Sequence, residues 1–451
     1  MRTSSPCARD SIASIGISDS QVVAHQDVMI GLVIMLPTSA AFHPSAALPL
    51  RHSLLPQLAI TSCISDDDDK PLPLETSSDL FASLRARQSA LDKNLEARWK
   101  KAECKSQVGL VLENWIRRIS LDWPRCAVGS AEGSVYVADL TSGEVLTKAF
   151  RVHPARVPGP AAERDMQMLH GDYDGGGLTA LAMRGDRVVS AGRDGNCQLW
   201  RVEEEELASV SELSTGAAIV SAIELSGGAI WCASLDGHLR KFDDDADVGS
   251  CACSLDLTVG APCLSLAVCE EASLVAVGTS EGAVELFSAS DGAHRGTWRP
   301  LEGSAARSVA IASVKGERCV ITGGMDGAMH LRYLASGDVG LGFDESQQGE
   351  PMLPSHQGPC VALTPLDGVR DGGLLVSGAH DGTLRVWDLA DGRVDGIPSA
   401  SGPKCLYGLG GYKVWLGSVC SDGLRLVSDG RDNALVVHDF GEETSSDIAS
   451  L

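Results

Sequence analysis

An acid followed by glycine, set between two short apolar runs, recurs along most of this chain. The acids are Glu132, Asp194, Asp236, Glu281, Asp326, Asp381 and Asp432. Glycine follows six of them, and Asn433 follows the last. Glycine accepts positive φ without strain, and asparagine is the next most tolerant residue. Each site therefore reads as a tight turn between two antiparallel strands. Successive acids lie 62, 42, 45, 45, 55 and 51 residues apart. A period of that size marks a repeat whose units bury their apolar faces only by stacking on one another.

The register holds beyond the turn. Six residues after the acids stand Ala138, Trp200, Phe242, Phe287, Arg332, Trp387 and His438. The strands before the turns end in small residues, as in RVVSAG (187–192), LVAVGT (274–279) and LLVSGA (374–379), so neighbouring sheets can approach closely. An inner strand precedes each pair: IRRISL (116–121), LTALAM (178–183), IVSAIEL (219–225), CLSLAV (263–268), RSVAIAS (307–313), CVALTPL (360–366) and KVWLGSV (413–419).

The clearest unit, GLLVSGAHDGTLRVWDL at residues 373–389, resembles the WD40 repeat, although only Trp387-Asp388 keeps the signature pair. The resemblance implies an all-β, seven-bladed β-propeller over residues 106–441. No fourth strand remains for the last blade, because only a short tail, 442–451, follows Phe440. The unassigned run VGLVLE (108–113) is expected to supply it and so cover the open edge.

Two sets of residues imitate a catalytic triad: His356, Ser377 and Asp381, and His170, Ser190 and Asp194. Trp387 and Trp200 complete them as the structural hydrogen-bond tetrads of the resemblance. A nucleophile is needed once, whereas these sets recur, so they are expected to be buried networks that pin loops to turns. No catalytic, cofactor or metal residue is assigned. There is no HxxxH, HxH, GxGxxG or GxxxxGK[ST], and Cys251 and Cys253 have no second pair nearby. The 14 cysteines are spread along the chain and read as packed thiols.

A formal charge of −23, nearly all of it after residue 105, repels phosphate backbones and argues against nucleic acid. No run of 18 apolar residues is present, so no transmembrane segment is expected. Residues 1–41 read as a signal-like leader with the apolar run VMIGLVIMLPTSAA at 28–41, and Met29 is an alternative start. Residues 42–76 read as a transit-like or disordered linker that ends in acids, Asp66 to Asp69 among them. Phe42 after Ala41 resembles the leader of algae with complex plastids, which implies a plastid; without a real leader the expectation is cytoplasmic. Residues 77–105 read as an amphipathic helix with Leu80, Leu84, Leu91, Leu95 and Trp99 on one face.

The residues before the turn acids should ring one face of the propeller. Arg193, Leu235, Met325, His380 and Arg431 are the candidate partner-binding residues there, since Arg and large apolar side chains favour interface cores. The long loops 151–177 and 344–359 emerge at the same end. The expected function is a non-enzymatic protein-interaction scaffold for protein or peptide partners. A ubiquitin-ligase substrate adaptor and a channel-based propeller enzyme are the alternatives.

Overall fold

The structure, a computed structural model, describes residues 77–441 except 155–176, 205, 217, 246–249, 338–339, 344–348, 367–368, 370–372, 391–392, 395–396, 399–401, 413–415 and 431–432. The described residues all lie in one compact unit, Leu74–Leu451. The leader and linker expected over 1–76 and the tail expected over 442–451 lie outside the described residues.

Seven four-stranded antiparallel sheets form a seven-bladed β-propeller with one helix. The inner strands are Ile116–Asp122, Leu178–Arg184, Val220–Ser226, Cys263–Cys269, Ala306–Val314, Cys360–Pro365 and Val419–Ser421. Each packs on the next, and the seventh packs back on the first. The first six share a β-bulge at their second residue, which kinks every blade at the same depth.

Small residues let the blades close up. Three positions before the turn acids stand Gly129, Ala191, Ala233, Gly278, Gly323, Gly378 and Asp429. A Cβ on Gly129 would lie 2.5 Å from Leu178, and one on Gly378 would lie 2.6 Å from Leu416. Hydroxyls then stitch neighbouring blades together. Thr179 Oγ1 donates to the Val220 carbonyl at 2.6 Å, and Ser221 Oγ to that of Cys263 at 2.6 Å. Ser265 reaches Ala306 at 3.1 Å, and Ser308 reaches Cys360 at 2.8 Å. Each hydroxyl satisfies a carbonyl of the neighbouring inner strand at the seam between blades.

The closing strand is Lys105–Val111. It pairs antiparallel with Ala434–Asp439, Lys105 opposite Asp439 and Val111 opposite Ala434. The front of the chain therefore completes the last blade, as its sequence implied.

The seventh inner strand departs from expectation. KVWLGSV was to form it, but it comprises only Val419–Ser421. The Gly417 and Ser418 N–H groups donate to the Asp429 carboxylate, at 2.8 and 3.1 Å. Those donors are thereby withheld from a strand ladder, so regular pairing starts one residue later.

The helix, α1, spans Ser77–Lys101. Basic residues fill its last turn, as the dipole favours. Ala102 exits at φ 59°, and Glu103 N donates to the Arg98 carbonyl, a left-handed helix end. Only part of the expected face is used. Trp99 is fully buried and Leu95 packs beside it, yet Leu91 is 40% exposed. The side chains of Leu80 and Leu84 lie outside the described residues. Helical spacing fixes which residues share a side, not where the supporting surface ends.

Candidate functional site

Blade 6 assembles its tetrad in full. Trp387 Nε1 donates to Ser377 Oγ at 2.9 Å, and His356 Nε2 lies 2.8 Å from the same oxygen. His356 Nδ1 lies 3.0 Å from Asp381 Oδ2. Burial lowers the basicity of His356, which fits a neutral ring whose Nε2 accepts a hydrogen bond from the Ser377 hydroxyl. For Asp381 burial acts the other way, but hydrogen bonds from Thr383, the Gln357 N–H and His356 hold its carboxyl below the usual range.

Blade 2 builds the same device with one correction. His170 lies outside the described residues, and the place assigned to it is taken by His153. His153 Nε2 lies 2.8 Å from Ser190 Oγ, and Nδ1 lies 3.1 Å from Asp194. Trp200 Nε1 donates to Ser190 at 2.8 Å. The His153 N–H also binds the Gly133 carbonyl, so the loop is pinned as soon as it leaves blade 1.

Ser190 and Ser377 have no exposed surface, so no substrate reaches either hydroxyl. Ser377→Ala leaves the Trp387 and His356 nitrogens without their shared partner. It should lower unfolding stability by about 1–3 kcal/mol, read from the denaturant midpoint. Covalent capture of Ser377 by an acylating probe in the folded protein would contradict this structural role.

Other blades hold their turn acids differently. In blade 3, Arg240 bridges Asp236 and Asp256 at 2.8 and 3.4 Å. In blade 1, Glu132 accepts from Ser134 and from Arg151, each at 3.3 Å. Blade 7 places His438 where Trp200 and Trp387 stand in theirs. Its Nδ1 lies 2.6 Å from Ser106 Oγ, and its Nε2 lies 2.5 Å from Tyr412 Oη. Ser106 belongs to the closing strand, so this chain of polar groups fastens the ring.

The central channel encloses about 190 Å³. Among the described residues its charged lining is Arg118, Glu224 and Arg307, and no histidine lines it. Water reaches Glu224, but protein surrounds it, and burial pushes its carboxyl up to about 7. Among the described residues no group of three His, Cys, Asp or Glu is placed to hold a metal ion. The twelve described cysteines are all free thiols.

Asp429 is the acid at the closing seam. Burial pushes it up to about 7, against hydrogen bonds from Gly417 and Ser418 and the charge of Arg118. An unfolded aspartate titrates near 4, so between about pH 4 and pH 7 the folded chain keeps a proton that the unfolded chain has lost. Stability contributed by this group is therefore full below about pH 4 and falls as pH rises through 7. Asp429→Asn should remove that decline, gaining about 4 kcal/mol at pH 8 relative to pH 4. Urea unfolding at the two pH values reads it, and an unchanged slope rejects it.

The candidate binding face needs revision. Leu235, Met325 and His380 are half-buried on the turns, and their N–H groups donate to the Ile219, Ala305 and Pro359 carbonyls. Arg193 is only 1% exposed, so it supports the fold beneath this face rather than meeting a partner. Its backbone is bonded to Gly177 and its side chain is covered, which adjacency to a turn acid could not reveal. Arg431 lies outside the described residues. Sequence reading missed Trp115, half-buried just before the first inner strand. Its carbonyl accepts from Ala131 N, and Arg117 stacks on its ring at 4.7 Å. The corresponding positions of blades 2 to 6 hold Gly177, Ile219, Pro262, Ala305 and Pro359, so Trp115 is the largest side chain among these six described positions. Its size relative to those residues was the available signal.

No family model matches the chain. No curated protein matches it either. Among solved structures it is similar to the computationally designed Ika8 protein, with 19% identity over 74% of this chain and 99% of that one, at a TM-score of 0.47. A likeness at that level carries no functional argument.

Among the described residues no helix is long and apolar enough to cross a membrane.

Proposed function

We propose that this protein is a non-enzymatic WD40-type scaffold that binds a protein or peptide on the face carrying the acid–glycine turns. The observation that carries the reading is the placement of Trp115, Leu235 and Met325, half-buried apolar side chains held on short, hydrogen-bonded turns. Rigid aromatic and apolar groups on one face lose little entropy on binding, which is what interface hot spots require. Burial of Ser190 and Ser377 supports a binding role over hydrolysis. The acidity of the chain favours basic or neutral partner surfaces and salt-sensitive association.

The test is affinity purification of the propeller carrying Leu235→Asp and Met325→Asp, with mass spectrometry of what is retained. Both sites are turns at the surface, so the fold should survive. Partner recovery should fall at least about tenfold, the effect of losing one modest hot spot. Leu424→Asp, in the hairpin before the Arg425–Asp429 strand at the opposite end, should leave it unchanged. Equal recovery from all three proteins would remove the binding face.

A further inference from the structure

Five of the eight large apolar side chains that stand exposed among the described residues lie on or beside two outer strands, the closing strand and the outer strand of blade 1. Val108 and Val111 are 61% and 64% exposed on the closing strand. Val145, Leu146 and Phe150 are 39%, 44% and 61% exposed on and just after Glu144–Ala149, the outer strand of blade 1. The turn before Glu144 meets the closing strand: a Cβ on Gly143 would lie 3.1 Å from the Gly109 carbonyl oxygen. Val145, Leu146 and Phe150 together on one outer strand and its end mark an interaction surface, because lone exposed apolar residues are ordinary and grouped ones are not.

The charges beside the patch specify its occupant. Glu144–Ala149 is an edge strand, paired on one side only. Glu144, Val145, Leu146 and Lys148 all face solvent. Leu146 is skipped by the bulge in the ladder to Val135–Asp139, and its side chain is exposed. An antiparallel approach of two such strands, centred on Leu146, sets Leu146 against its own copy. It also sets each Glu144 opposite the other chain's Lys148. The strand is thus complementary to itself in charge and in apolar surface, which a two-fold interface demands and an unrelated partner does not.

We infer that this rim is a self-association surface, occupied by the Glu144–Ala149 strand of a second copy of this chain. Sedimentation equilibrium on the full chain tests it, with far-ultraviolet circular dichroism confirming that each variant is folded. The chain should form a dimer within about 100 µM, a range typical of modest interfaces. Glu144→Lys alone places like charges opposite one another twice and should weaken the dimer about tenfold. The double variant Glu144→Lys with Lys148→Glu restores opposite charges and should recover it. Leu146→Glu should abolish it. A chain that stays monomeric over that range, a dimer indifferent to Glu144→Lys, or a double variant as weak as the single one would each overturn the assignment. The Leu235 and Met325 variants, at another surface, should dimerise normally, so the rim and the turn face are tested separately.

Discussion

A chain that begins at Glu113 is expected to lose cooperative unfolding altogether, whereas one that begins at Lys105 keeps it with a lower midpoint. The shorter chain lacks six residues that pair with Ala434–Asp439. It also lacks Leu110 and Leu112, which are buried in the core shared by blades 7 and 1. Burying two such side chains contributes about 3–6 kcal/mol, before the ladder hydrogen bonds are considered. Whole domains have only about 5–15 kcal/mol. The loss also opens an edge strand, Ala434–Asp439, whose free backbone groups invite association with other chains. Denaturant titration followed by circular dichroism distinguishes the outcomes. Equal midpoints for the two chains would mean that the ring closes without its front strand.

Trp99→Ala should lower stability by about 3–5 kcal/mol, the usual cost of emptying a buried aromatic site. Trp99 stacks on Phe440 with ring centroids 3.6 Å apart. Its Nε1 donates to the Gly423 carbonyl at 2.8 Å, and its own carbonyl accepts from Tyr407 Oη at 2.6 Å. Arg98 binds the Phe440 carbonyl at 3.1 Å, and Lys100 pairs with Asp388 at 2.8 Å. The last turn of α1 therefore ties blade 6 to blade 7 where the chain ends its final strand. Leu91→Ala, two turns earlier and 40% exposed, should change stability by no more than about 0.5 kcal/mol. Thermal melts of the two variants give the comparison. A similar loss from both would mean that the helix packs along its whole length.

Much of the architecture was legible because its signals are short-range. A turn that needs positive φ selects glycine or asparagine wherever it occurs, and Gly382 at φ 75° and Asn433 at φ 59° do the same work. Alternating apolar residues mark strands, and small residues mark seams, so blade number and ring closure followed from residue types at fixed offsets. The site was less legible. The tetrad of blade 6 was read correctly since all its members lie within 32 residues, from His356 to Trp387. In blade 2 two histidines, His153 and His170, precede the same inner strand, and spacing could not choose between them.

The sequence by itself determined the repeat, the hairpins, the seven blades and the strand that closes them, because backbone dihedrals and strand periodicity are local properties of residue type. Only the tertiary structure decided that His153 completes the second tetrad, that Arg193 is covered, that the Gly417 and Ser418 N–H groups converge on Asp429, and that α1 grips only through its last turns. Those outcomes depend on which distant groups arrive at the same point and exclude water there, and no offset along the chain encodes that distance.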